Sequence, residues 1–160
     1  MSEASVDQPA KKPVIVPRWI VRTIWIAHRA VYRITGGRFG LRPSTETQWG
    51  MLRLHTVGRQ TGKERVAILG YIEDGPNVII PAMNGWADPE PAWWLNLQAK
   101  PDAEIELLDG PRKVTARAAV GEERARLWRE FLALNSSAFT DESAALRSRE
   151  TAIVVFEPRT

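Results

Sequence analysis

The sequence predicts an α+β fold: a small barrel of about six mainly antiparallel strands, with helices inserted between hairpins. Three observations predict it. Short runs of alternating apolar and polar residues are separated by tight turn signals, as half-buried antiparallel strands require. Helical patterns fall between hairpins instead of alternating regularly with strands, which argues against a parallel sheet. The 160 residues, 44% of them apolar, suffice for one core and are too few for two catalytic domains.

Met1 to Pro13 is polar, carries Pro9 and Pro13 and has no periodicity, so a disordered tail is expected. Pro17 to Ile34 reads as a helix, with proline in its first turn, no internal Gly or Pro, and Gly36-Gly37 as the stop. At about 100° per residue, Arg18, Arg22, Arg29 and Arg33 share one narrow stripe. Ile20, Ile24, Ala27, Val31 and Ile34 lie opposite, and Trp25 and Tyr32 flank the arginines. Such a helix suits an anionic membrane surface. It equally suits packing of the apolar face on the barrel with the arginines in water. The high cost of four arginines argues against a bilayer span. A boundary near Arg42-Pro43-Ser44 divides the chain into residues 1–44, tail plus basic helix, and 45–160, the barrel.

Within the barrel, Met51 to Val57 alternates, Val66 to Ile72 is strand-like, Glu73 to Asn77 is a turn cluster and Val78 to Pro81 is a short buried run. A helix is expected over Pro91 to Gln98, stopped by Lys100-Pro101. Ala103 to Leu108, the turn Asp109-Gly110 and Lys113 to Val120 form a second hairpin. A helix from Gly121 to about Asn135, opened by Glu122 and Glu123, a short helical region from Asp141 to Arg149, and a terminal strand from Ala152 to Phe156 complete the order.

Net charge is +3, but residues 1–70 carry +8 and residues 71–160 carry −5. Eight cations and no acid lie between Gln8 and Thr45, which suggests an anionic partner. The absence of cysteine excludes a disulfide framework, a thiolate metal cluster and a cysteine nucleophile. His28 and His55 alone do not build a zinc site, and no metal is expected. No Ser/His/Asp or paired-carboxylate arrangement stands out, so no residue is singled out as catalytic, and a cofactor is the expected carrier of any chemistry. Nothing at the N-terminus resembles a secretory signal; a cytoplasmic protein is expected, peripheral on the inner face of the membrane if residues 17–34 bind lipid.

Two segments carry the strongest local signals. Thr56 to Arg65 joins two strands through two glycines and the cations Arg59, Lys63 and Arg65, a composition suited to holding phosphate. It is not a phosphate-binding loop of the nucleoside-triphosphatase type, because Gly58 stands too close to Gly62-Lys63 and Glu64 replaces the magnesium-binding hydroxyl. Met83 to Pro89 leaves a buried strand, where its amides can approach a planar ligand. Pro91 to Leu97 then places Trp93 and Asn96 on one helix face. That face suits a flat aromatic ligand, while composition alone favours a tryptophan-rich core helix.

Taken together, TVGRQTGKER (Thr56–Arg65), MNGWADPEPAWWLNL (Met83–Leu97), Lys100-Pro101 and the closing IVVFEP (Ile153–Pro158) resemble the deazaflavin-dependent nitroreductase family. The likeness runs from about Met51 to Pro158. It implies a split β-barrel of the FMN-binding type, the cofactor F420, and hydride transfer to an electron-poor acceptor: a quinone, an enone or lactone, or a nitro compound. It places the cofactor's phosphate and glutamyl tail on Arg59, Gln60, Thr61, Gly62, Lys63 and Arg65. The ring falls on Ile68, Pro81, Ala82, Met83, Asn84 and Gly85, with Trp93 and Asn96 nearby. The acceptor pocket falls on Trp86 and Phe139. The partner implied is a lipophilic small molecule, with the proton coming from solvent. Ser136 to Arg149 has no tyrosine, unlike relatives that reduce nitroimidazoles, which argues against that substrate. Alternatives are a barrel that binds cofactor or lipophile without turnover, and an FMN-dependent reductase, for which three cations exceed what one phosphate needs. A nucleic-acid binder lacks any recognition motif, and no nucleic acid is expected as a partner.

Overall fold

The computed structural model describes residues 40–84, 89–134 and 148–159. The tail and basic helix expected over 1–34 lie outside the described residues, as do Gly85, Trp86, Phe139 and most of the helix expected from Asp141; Ser148 and Arg149 form a bend. The chain divides into two units, Met1–Phe39 and Gly40–Thr160, and the second holds every described residue.

Six strands close a barrel: β1 (Gly50–Val57), β2 (Glu64–Asp74), β3 (Asn77–Pro81), β4 (Asp102–Leu107), β5 (Gly110–Ala118) and β6 (Ile153–Pro158). Their order around it is β1-β2-β3-β6-β5-β4, and every pairing is antiparallel. Local hairpins account for β1-β2, β2-β3 and β4-β5. Closure comes from β6, inserted between β3 and β5, and from the short β1-β4 ladder of Arg53↔Glu106 to His55↔Glu104. The strands start earlier than the apolar pattern suggests: β2 at Glu64, not Val66, and β5 at Gly110, so that Leu108-Asp109 makes the turn. Backbone pairing, unlike side-chain burial, continues through polar residues to the hairpin ends.

Strand alternation divides the apolar residues between two cores. Leu52 and Leu54 of β1, Tyr71 of β2, Val78 and Ile80 of β3, Ile105 of β4 and Phe156 of β6 fill the barrel interior. Helix α1 (Ala92–Ala99) adds Trp93, Trp94 and Leu97 to this inner core, at 7, 6 and 1% exposure. The core-helix reading thus holds for both tryptophans. Helix α1 ends at Lys100, which is extended (φ −145°, ψ 99°) because the following Pro101 excludes the helical region for its predecessor.

Helix α2 (Gly121–Ala133) covers the outside of the barrel. Leu127 and Phe131, four residues apart, share a face against Ile79, Ile153 and Val155, and each contributes about 1.5–3 kcal/mol by burial. Two arginines fasten this helix. Arg117 of β5 makes a two-pronged ion pair with Glu123 at 2.7 and 2.8 Å and also reaches Glu157 of β6 at 2.7 Å. Arg126 grips both oxygens of Asp74, at the end of β2, at 3.1 and 2.8 Å. Among the described residues no helix is long and apolar enough to cross a membrane.

Candidate functional site

The loop between β1 and β2 is Gly58 to Lys63, so Thr56 and Arg65 are strand residues, paired across the ladder. Two glycines are required here. A Cβ on Gly58 would stand 3.1 Å from Lys63 O and 3.1 Å from Thr61 Oγ1, and Gly62 has φ +66°, a region costly for other residues.

Five of the six amides from Gly58 to Lys63 donate within the protein. Gly58 N donates to Lys63 O (2.8 Å), Arg59 N to Asn96 Oδ1 (3.1 Å), Thr61 N and Gly62 N to Gly58 O (3.2 and 2.8 Å), and Lys63 N to Thr61 Oγ1 (3.4 Å). The glycines therefore serve to fold the loop tightly and do not free amides for an anion. The cationic side chains of Arg59, Lys63 and Arg65 are all exposed. Arg65 Nη2 donates to Thr61 Oγ1 at 3.5 Å, and Arg59 Nη1 to Asn96 Oδ1 at 3.5 Å. The Lys63 ammonium has no partner among the described residues.

Asn96 joins this loop to the barrel interior. Its side chain is 5% exposed; while Oδ1 accepts from Arg59, Nδ2 donates to Thr56 Oγ1 at 3.2 Å. Thr56, itself 4% exposed, completes the chain by donating to Arg65 O at 3.5 Å. A buried amide satisfied on both sides is rigid and costly to disturb. Asn96 is thus a brace under the cationic loop. Thr56 escaped sequence reasoning as a partner of Asn96, because a strand threonine gives no local sign of a partner 40 residues away.

The residues expected around a planar ring do not share one surface. Ala82 is fully buried in the inner core. Trp93 is also there, its ring centroid 6.5 Å from that of Phe156, and it presents no free face for stacking; its indole Nε1 is buried without a partner among the described residues. Ile68 and Pro81 have the outward parity of their strands, shared by Ile72 and Ile79, and Met83 packs on the outer core. Asn84 is exposed. Gln60, Thr61 and Gly62 sit in the cationic loop. Gly85, Trp86 and Phe139 lie outside the described residues.

His55 faces the outside of β1, where Nδ1 is 2.8 Å from Glu64 Oε1 and Nε2 is 3.7 Å from Glu106 Oε2; Arg53 also pairs with Glu106. With no hydroxyl nucleophile in this cluster, its role is to tie β1 to β2 and β4. Two open depressions beside α2 are lined by Glu122, Glu123, Arg126 and neighbours, and by Ser44, Glu46, Glu73, Glu130 and neighbours. Neither includes the cationic loop, and their carboxylates disfavour a polyanion.

Comparison with known proteins decides the family. A family model described as F420H(2)-dependent quinone reductase matches residues 25–158. The chain belongs to that family. Within this quinone reductase family, an F420H(2)-dependent quinone reductase of Mycobacterium tuberculosis (strain ATCC 25618 / H37Rv) is 34% identical over 153 residues, covering 90% of this chain and 99% of the relative. A solved F420-H2 dependent reductase (FDR-A) superposes with a TM-score of 0.60 at 24% identity, covering 67% of this chain and 93% of its own. A solved domain-swapped dimer reaches 0.61 at 22% identity, covering 85% and 99%. The split-barrel fold, the deazaflavin-dependent oxidoreductase class and F420 as cofactor, all implied by the motif resemblance, are borne out.

Proposed function

We propose that the barrel binds F420 with its anionic tail on Arg59, Lys63 and Arg65 and its ring beside Met83 and Asn84, on the outward side of Ile68 and Pro81, with Ala82 buried behind them. The match across residues 25–158, which spans the cationic loop and the strands that hold it, is the observation that carries this reading. The residues present suit the cofactor, because a phosphodiester and several carboxylates call for cations and three exposed cations converge on a braced loop. When bound, the reduced cofactor supplies a hydride, and a quinone is the acceptor that the family's description favours.

The chain's own contribution is placement. Thr56 and Asn96 fix the loop before any ligand arrives, so little ordering is needed on binding. Trp86 and Phe139 are assigned to the acceptor side, and solvent delivers the proton. Incubating the protein with reduced F420 and a short-chain naphthoquinone should oxidise the cofactor faster than the uncatalysed reaction. Tight binding without such oxidation would replace the enzyme with a binding protein.

The basic segment of residues 17–34, expected from its sequence to be helical, is assigned to anionic lipid, where a lipophilic quinone is concentrated. Its support is the arginine stripe flanked by Trp25 and Tyr32. Full-length protein should co-sediment with phosphatidylglycerol vesicles, whereas a variant lacking residues 1–34 should remain in the supernatant; equal sedimentation would remove the helix as the anchor.

A further inference from the structure

Strand β3 ends at Pro81 and the chain returns to the barrel at α1, and the two flanks of this connection meet on one arginine. Arg149 Nη2 donates to Ala82 O at 3.2 Å and to Pro89 O at 3.5 Å. The two hydrogens of a single guanidinium nitrogen thus join carbonyls seven residues apart in sequence.

The base of Arg149 is itself held. Arg124 of α2 pairs with Glu150 at 2.7 Å and donates to Thr151 O at 2.9 Å, while Ala82 N donates to Ala152 O at 2.8 Å. The three residues after Arg149 are therefore fixed to α2 and to the start of the connection. The neighbouring Met83 N donates back to Pro81 O at 2.9 Å, so Met83 and Asn84 leave a backbone that is clamped on both sides.

We propose that Arg149 is a positioning residue that, by tying Ala82 to Pro89, sets Met83 and Asn84 against the deazaflavin ring. The proposal rests on the F420 reading given above. Ring placement and tail placement then depend on different side chains, Arg149 for the first and the cationic loop for the second.

Two probes separate them: F420 itself, and the deazaflavin riboside without phosphate and glutamyl tail. Arg149→Met should weaken both by the same factor, about tenfold, and Arg149→Lys should recover part of the loss. In turnover, the Met variant should raise KM for reduced F420. Wild-type affinity for the riboside in a folded Arg149→Met protein would overturn the proposal. Should that variant not fold, Arg149→Lys decides. A severalfold loss of riboside affinity supports the tie, and unchanged affinity overturns it. Failure of the wild-type protein to bind either probe would instead overturn the F420 reading.

Discussion

Lys63 and Arg65 share a charge and a loop yet differ in what surrounds them. Arg65 is a β2 residue whose guanidinium touches Thr61, while the Lys63 ammonium extends from a tightly folded turn. Neither contributes to either core, so replacing both with alanine should leave the melting temperature within about 2 °C. Affinity for F420 should fall at least about tenfold, since each lost cation removes a charge-assisted hydrogen bond. Unchanged affinity in a fluorescence titration would remove the loop from cofactor binding. Asn96→Ala should behave differently, because it removes a buried hydrogen bond to Thr56 Oγ1 and the acceptor of Arg59 N. A loss of about 1–3 kcal/mol in denaturant unfolding is expected together with weaker cofactor binding. Stability unchanged from wild type would mean that Asn96 is not the brace.

Helix α2 shows how an element is placed by a few charges after its apolar face is satisfied. The Arg126 hydrogen bond to Asp74 holds that carboxyl below its ordinary value of 3.8, and the Arg117 hydrogen bond holds Glu123 below 4.5. Folded-state values lower than unfolded ones mean that the unfolded chain binds more protons between the two, so stability rises with pH there. The stabilisation is complete above the ordinary carboxylate range and is lost as pH falls below about 4. Thermal unfolding of wild type should therefore soften between pH 5 and pH 3, and Asp74→Asn should soften less over the same range. Identical pH profiles would show that the Arg126–Asp74 pair does not anchor the helix. At this scale the sequence was informative: the turn clusters, the Leu127/Phe131 spacing and Lys100-Pro101 located the elements through local chemistry. What it hid was direction. Trp93 was legible as aromatic surface or as core, and only the inner barrel's volume, built from distant strands, resolves it into core.

For the whole molecule, closure is non-local. The insertion of β6 between β3 and β5 pairs Ile153 with Pro81 and Val154 with Ala118, separations that leave no periodic trace in a single chain. The cationic loop was legible because its residues are contiguous. Its brace and the Arg149 tie were not, since each depends on a partner about 40 or 60 residues away that the barrel alone brings near. If the braced cationic loop holds the cofactor's anionic tail, as proposed, the protein should discriminate by the tail. Titration of the purified full-length protein with oxidised F420, followed by cofactor fluorescence with FMN in parallel, tests this most directly. Saturable binding of F420 in the micromolar range or tighter, with FMN much weaker, is the predicted result; equal or tighter binding of FMN, or no binding of F420, would contradict it.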